Sequence, residues 1–254
     1  MISENIWNEI KNIIPEKKSK VGRPLKDPKI VLSGVFYVMK TGVQWHKLPD
    51  YYGRPTSVHG RFRTWVKSGI FNEILNKSID VAIKQLGFPE CFFNDTASIK
   101  APFAKFGGKN PTDRAKNSVK KGIIIDWNRI ILSILVEPAN IHDSKLLLPH
   151  IENLKKFLNN KPKFMATDSA WDVKKLLSEL VKSNRALHAA KNVRRNKLKK
   201  KIRPERGWTI EQVFDIQHWN RGIKFFWTKT KDSFLALCQF ALVIHIFRLV
   251  GIFG

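Results

Sequence analysis

The hydrophobic period of this chain changes near residue 90, and that change constrains the fold more than any other feature. Up to that point apolar residues recur at helical spacing. Residues 4–14 carry Ile6, Trp7, Ile10, Ile13 and Ile14 on one stripe. Asp27 followed by Pro28 reads as an N-cap with proline at the first helical position. That helix runs to about residue 40 with Ile30, Val31, Val35, Val38 and Met39 on its stripe, and Thr41-Gly42 ends it. A third helix, capped by Thr56 or Ser57, covers VHGRFRTWVKSG, and a fourth covers 71–86 before Gly87 and Pro89. From residue 91 the pattern becomes β-branched and aromatic. Strands are predicted at 91–99, 118–126 and 129–136, the last two around Asp126-Trp127-Asn128, with a polar loop at 105–116. Helices at 144–158 and 172–183 then alternate with short strands at 162–167 and 185–190, and two more helices start near 208 and 232. Three antiparallel strands followed by α/β alternation imply a mixed sheet covered by helices. The expected domains are a helical 1–90 and an α/β 91–254.

Charge narrows the function. The 254 residues hold 46 Lys and Arg against 21 Asp and Glu, a net charge of +25, while 43% of residues are hydrophobic. A chain that apolar builds a core, and a surface that basic calls first for a polyanion, nucleic acid before an anionic membrane. The excess is densest in 185–207, with ten basic residues and one acid, including Arg194, Arg195, Lys199, Lys200 and Arg206. Two cysteines, Cys91 and Cys238, give neither a disulfide framework nor zinc spacing, which points to a reducing compartment, the cytoplasm. The N-terminal segment lacks the basic and apolar regions of a signal peptide. Residues 234–253 are long and apolar enough for a membrane span, but His245 and Arg248 interrupt them, so a buried terminal helix is expected.

With so few acids, the isolated ones are informative. Asp95 sits inside the apolar run FFND, where a strand interior disfavours it. Asp168 stands where the buried strand KFMAT ends. Glu211 precedes Phe214 by one turn in WTIEQVF. Three carboxylates on two strands and a helix suit Mg²⁺, which takes oxygen ligands and serves phosphoryl transfer. Read singly, Asp95 ends a strand, Asp168 caps a helix and Glu211 is a solvated surface residue. His142-Asp143 resembles half of a catalytic pair, but no reactive Ser or Cys motif accompanies it, and Asp143 or Ser144 reads as a helix cap. Gly107-Gly108 lacks the GK[ST] of a phosphate loop.

Over nearly its whole length the chain resembles the DDE-type bacterial insertion-sequence transposases of the insertion sequence five group. GRPLKDPKIVLSGVFYVMKTGVQWHKLPDYYG and VHGRFRTWVKSGIFNEIL resemble that group's helical DNA-binding region. Asp95-Thr96 followed by Ile99-Lys100-Ala101, the stretch PANIHDSKLL, Asp168-Ser169-Ala170-Trp171-Asp172 and Glu211 with Arg221 ten residues on resemble its core. The acids are 73 and 43 residues apart, which suits the group. Pro204, Gly207 and His218 stand where the group often has Tyr, Arg and Lys, and Gln212 where Arg is common; Arg203 and Arg206 lie close enough to replace lost phosphate contacts.

The resemblance implies an RNase H-like mixed sheet flanked by helices, preceded by a small helix-turn-helix-like DNA-binding domain, with a basic insertion near 191–207. It implies cut-and-paste transposition: strand cleavage at the transposon ends, then attack of a 3′-hydroxyl on target DNA. Asp95, Asp168 and Glu211 are then both catalytic residues and ligands of two Mg²⁺ ions, with Mn²⁺ as a substitute. DNA contacts are expected from Arg61, Arg63, Lys67, Lys120, Lys121, Arg194, Arg195, Lys199, Lys200, Arg206, His218 and Arg221. Arg63 and Lys67 share a helix face at i, i+4, whereas Arg61 sits off it and Trp65 reads as core. The implied partners are double-stranded DNA, as terminal inverted repeats and as target, and a second copy of the chain on that DNA, with no membrane. The alternatives are a decayed or domesticated DNA-binding protein, which would bind without cutting, and an RNase H-like nuclease, which would cut without recognising transposon ends.

Overall fold

The computed structural model describes residues 1–15, 26–89, 91–157, 164–167, 186–189, 209–224 and 228–253. The contacts divide the chain into two compact units. One comprises Met1–Gln85 with Ile216–Gly254, the other Leu86–Asp215.

The first unit is helical, as the period requires. Helix α1 is Glu4–Ile10, α2 Pro28–Thr41, α3 Pro55–Lys67 and α4 Ile70–Leu86. Asp27 caps α2 through its side chain, which accepts from the Lys29 N–H at 2.6 Å. Gly42 ends that helix in the left-handed region (φ 71°), where a side chain would be strained. Helix α3 is capped at Arg54, two residues before the first of its hydroxyls, with Pro55 in its first turn. The rigid φ of proline outweighs a possible Thr56 or Ser57 cap. Helix α8, Lys231–Leu249, follows α6 (Thr209–His218) and the single turn α7 (Arg221–Lys224). Its cap is Thr230, whose hydroxyl accepts from the Ser233 N–H.

Helix α8 is long and apolar enough to cross a membrane, but its residues 236–247 are all buried. It forms the centre of the helical unit. Phe240 packs on Phe36 and Phe71, with ring centroids 6.3 and 5.7 Å apart, and Phe71 continues to Phe62 at 5.5 Å. Gln239 donates to the Asn72 side chain at 3.3 Å. Trp65 is buried, as expected of a core residue. The chain therefore places residues 216–254 with the N-terminal helices, by burying a helix too apolar to face water on either side.

The second unit is built on a six-stranded mixed sheet. Strand β1 is Cys91–Lys100, β2 Gly108–Lys109, β3 Asn117–Asp126, β4 Ile131–Pro138, β5 Phe164–Thr167 and β6 Ala186–Ala189. The order is β2-β3-β1-β5-β6, with β4 also paired to β3. β1, β3 and β4 form an antiparallel meander, and β5 and β6 run parallel to β1. This is the RNase H-like mixed sheet that the resemblance implies. Strand β2 falls inside the segment expected to be a polar loop; two residues are too short for a period to register. Helix α5, Leu147–Leu154, covers one face of the sheet, entered through a 3₁₀ turn at Asp143–Leu146. A Cβ on Gly122 would meet His150 Nε2 at 2.6 Å and Leu146 Cδ2 at 2.8 Å, so that helix lies directly on the strand. The residue preceding the turn is His142, whose ring nitrogen accepts from the Ser144 N–H. Neither Asp143 nor Ser144 caps it.

Gly222 of α7 supplies a close backbone approach. A Cβ there would lie 2.7 Å from the Val38 carbonyl oxygen and 2.9 Å from that of Met39. Gly60, within α3, has nothing within 4 Å of its Cβ position. Gly222→Ala is expected to destabilise by about 1–3 kcal/mol, because backbone has to move. Gly60→Ala should stabilise by about 0.5–1 kcal/mol, since alanine suits a helix interior. Chemical denaturation of both variants checks this, and equal effects of the same sign would refute the close-packing account.

Candidate active site

Asp95 lies in the middle of β1, half-buried, with its Oδ1 accepting from the Thr96 N–H at 2.8 Å. Its partner across the ladder is Ile123, and Ala97 pairs with Lys121. Directly paired residues of an antiparallel ladder share a face, and alternate residues along a strand do so too. Phe93, Asp95, Ala97, Lys121 and Ile123 therefore point to one side of the sheet. Asn94, Ile124 and Ser133 point to the other, where α5 lies.

Helix α6 covers the Asp95 side. Its buried stripe is Ile210, Val213, Phe214 and Gln217, and Glu211 is exposed one position off that stripe. Two contacts within the sheet unit hold its first turns. The Lys121 ammonium sits over the Phe214 ring, 5.6 Å from its centroid. Arg129 donates to the Gln212 side chain at 3.3 Å. The structure thus brings Asp95 and the Glu211 helix to the same face of the sheet. Asp168 lies outside the described residues, one position beyond the end of β5 at Thr167. Among the described residues no three His, Cys, Asp or Glu side chains gather around a single point.

The basic residues divide into internal and external groups. Lys121 is fully buried. Lys120 is 12% exposed and donates to the Ile141 carbonyl at 2.7 Å and to Asp143 at 2.6 Å, so it ties the PANIHDSK segment to β3. The expectation that these two lysines face DNA therefore meets an interior placement: both faces of β3 are covered, and each ammonium is spent on the fold. Arg61 is half-buried, donates to the Lys26 carbonyl and lies over the Trp65 ring, 5.1 Å from its centroid. Arg63 and Lys67 are exposed and share a face of α3. His218 is half-buried at the end of α6, and Arg221 is exposed at the start of α7. Arg194, Arg195, Lys199, Lys200 and Arg206 lie outside the described residues, as do Pro204 and Gly207.

Two residues at the β3–β4 hairpin escape a reading by motif. Trp127 is 65% exposed and lies against Phe93, with centroids 5.5 Å apart. Arg129 adopts φ 66° and reaches Gln212, next to Glu211. The available signal was an aromatic and a basic side chain in a tight turn, where the Arg129 backbone N–H closes the turn onto the Asp126 carbonyl and its side chain is left for another contact.

Asp126 closes this hairpin: its Oδ1 accepts from the Ile130 N–H at 2.6 Å. Burial pushes its pKa up to about 6, against the partial relief of that hydrogen bond. On the α5 side, burial pulls His150 down to about 3, and its Nδ1 lies 2.8 Å from the Ser133 hydroxyl. A carboxyl with a raised folded pKa lends stability that is complete below about pH 4 and is lost as pH rises through about 6. His150, a base with a lowered folded pKa, has the opposite slope over about pH 3–6.5. Comparing Asp126→Asn with wild type cancels the histidine. The variant should gain about 2 kcal/mol relative to wild type between pH 4 and pH 7. A stability difference that does not change with pH would show that Asp126 is ionised like an exposed carboxylate.

Comparison with known proteins places these features in families. Residues 86–243, more than half of the chain, match the family model described as the transposase DDE domain. Residues 2–75 match one described as transposases of the IS4/5 family. The chain is 29% identical over 125 residues to an uncharacterized 16.2 kDa protein of insertion element IS402 from Burkholderia cepacia, covering 45% of this chain and 84% of that protein. It is 22% identical over 74 residues to the uncharacterized protein y4sN from Sinorhizobium fredii, covering 29% of this chain and 59% of that protein. Among solved structures, a pre-cleavage Mos1 transpososome aligns with 92% of this chain and 81% of its own, at 10% identity and a TM-score of 0.30.

Proposed function

The chain belongs to the DDE-domain transposases of the insertion-sequence type, and we propose that it moves its element by cutting and pasting. In this reading it nicks DNA at the terminal inverted repeats, and the freed 3′-hydroxyl attacks a phosphodiester of target DNA. In each step an oxygen forms a bond to phosphorus while the bond to the leaving oxygen breaks, so no oxidant or reductant is needed.

Asp95, Asp168 and Glu211 form the acidic centre. The observation that carries this is the sheet register. Phe93 pairs with Ala166 across the parallel β1–β5 ladder, and two residues further along each sequence stand Asp95 and Asp168. Glu211 is carried by the helix on the same face as Asp95. The donors are all oxygens, the set that Mg²⁺ prefers, with Mn²⁺ as a substitute. When bound, two such ions supply the Lewis-acid charge that phosphoryl transfer requires. The protein's own part is positioning. Lys121 and Arg129 hold α6, while Arg63, Lys67, Arg221 and the basic run 185–207 grip phosphates. Residues 1–90 then serve as the DNA-binding region and 91–254 as the catalytic region. Synapsis of two ends calls for a homo-oligomer on DNA, and the setting is the bacterial cytoplasm at the nucleoid.

Asp168→Asn, and likewise Asp95→Asn, should lower Mg²⁺-dependent cleavage by at least about a hundredfold while DNA affinity is kept. Cleavage and joining by Asp168→Asn at the wild-type rate would reject the site. Wild-type protein that binds but never cuts is a decayed copy, and one that cuts but never joins is a nuclease. Replacing Arg194, Arg195, Lys199 and Lys200 by Ala should flatten the salt dependence of DNA binding without changing sequence preference. An unchanged slope would make the run a plain solvated segment.

A further inference from the structure

We propose that the cleft between the end of α2, the α6–α7 junction and α8 seats a backbone phosphate of bound DNA. The site is built wholly from residues of the helical unit and includes neither the three acids nor the basic run, and it rests on the reading of the chain as a DNA-handling enzyme. Its lining includes Lys40 and Arg248, apolar walls from Phe36 and Ile244, and the polar side chains of Asn220 and His245. Among the described residues none that lines it is acidic.

Each cation has a simple local reason to be where it is. Lys40 and Arg248 both stand in the last turn of a helix, where positive charge offsets the carbonyl ends. That reason explains each alone and does not explain their convergence. Burial, and after it the charge of Arg248, holds Lys40 below the usual lysine range, and both side chains line the same cleft. Like charges beside apolar walls repel more strongly than in water, and the same walls focus the field on an anion placed there. The cleft is also firmly built. The backbone contact of Gly222 with Val38 and Met39 locks α7 against α2, and Asn220, whose Nδ2 donates to the Ile216 carbonyl at 3.1 Å, is 7% exposed. A preformed cleft lined by two cations suits a phosphate diester, which carries one negative charge.

The test uses the full chain with a labelled DNA duplex, its dissociation constant followed from 50 to 300 mM NaCl. The double variant Lys40→Gln/Arg248→Gln should reduce the log–log salt slope by about one, the value for one phosphate contact. It should weaken binding at 100 mM NaCl by about three- to tenfold. Lys40→Arg/Arg248→Lys, which keeps both charges, should retain the wild-type slope, and this separates lost charge from lost packing. Arg248→Gln alone, at an exposed position, gives the same reading if the double variant fails to fold. Sodium phosphate in place of chloride, at equal ionic strength, provides the second arm. A full slope in the double variant overturns the proposal, as does stabilisation by free phosphate that the variant abolishes while the DNA slope stays intact. Wild-type binding with no salt dependence would overturn the DNA-handling reading and this site with it. A normal wild-type slope that survives the double substitution sinks this site alone.

Discussion

The register of β1 between β3 and β5 is the constraint on which the sheet unit depends. A strand has two faces, and a slip by one residue exchanges them. In the register observed, Asp95 pairs with Ile123 and faces α6, while Asn94 faces α5. A one-residue slip would turn Asp95 to the face covered by α5 and would turn Asn94 towards α6. The nine paired residues of β1 and β3 hold that register. On its far side the parallel pairing with β5 leads the chain towards Asp168.

The large positive charge serves two purposes. Part of it is structural. Lys121 sits over Phe214, Lys120 is bound by Asp143 and the Ile141 carbonyl, and Arg61 is held by the Lys26 carbonyl and Trp65. These cations join elements that are distant in sequence, and a buried charge is tolerable only because such partners replace water. The rest, including Arg63, Lys67, Arg221 and Arg248, stays exposed. A count of Lys and Arg cannot separate the two groups, because it contains nothing about which side of a strand or helix is covered.

Much of the architecture is legible in the sequence because it is local. The N-cap at Asp27, the left-handed Gly42, the change of period near 90 and the meander of β1, β3 and β4 follow from neighbouring residues. The acids stood out for a similar reason, since a carboxylate within FFND is costly without a task. The placement of Lys121 had a faint trace: Val119, Ile123 and Ile125 share its parity along β3, and all three are buried. Motif reading passes over that trace because Lys120 and Lys121 together look like a surface pair.

Taken by itself, the sequence determines the two kinds of secondary structure, the order of the strands along the chain, the three isolated acids and the excess of basic charge. Short-range physics sets these features: periodicity, capping and the cost of a carboxylate among apolar residues. Tertiary structure alone decided that α8 is the core of the helical unit, that Lys120 and Lys121 turn inward, and that Lys40 and Arg248 meet across a cleft. Each of these depends on which surfaces become covered when distant segments pack. Burial is a property of the assembled fold, and the side chains of one segment do not contain it.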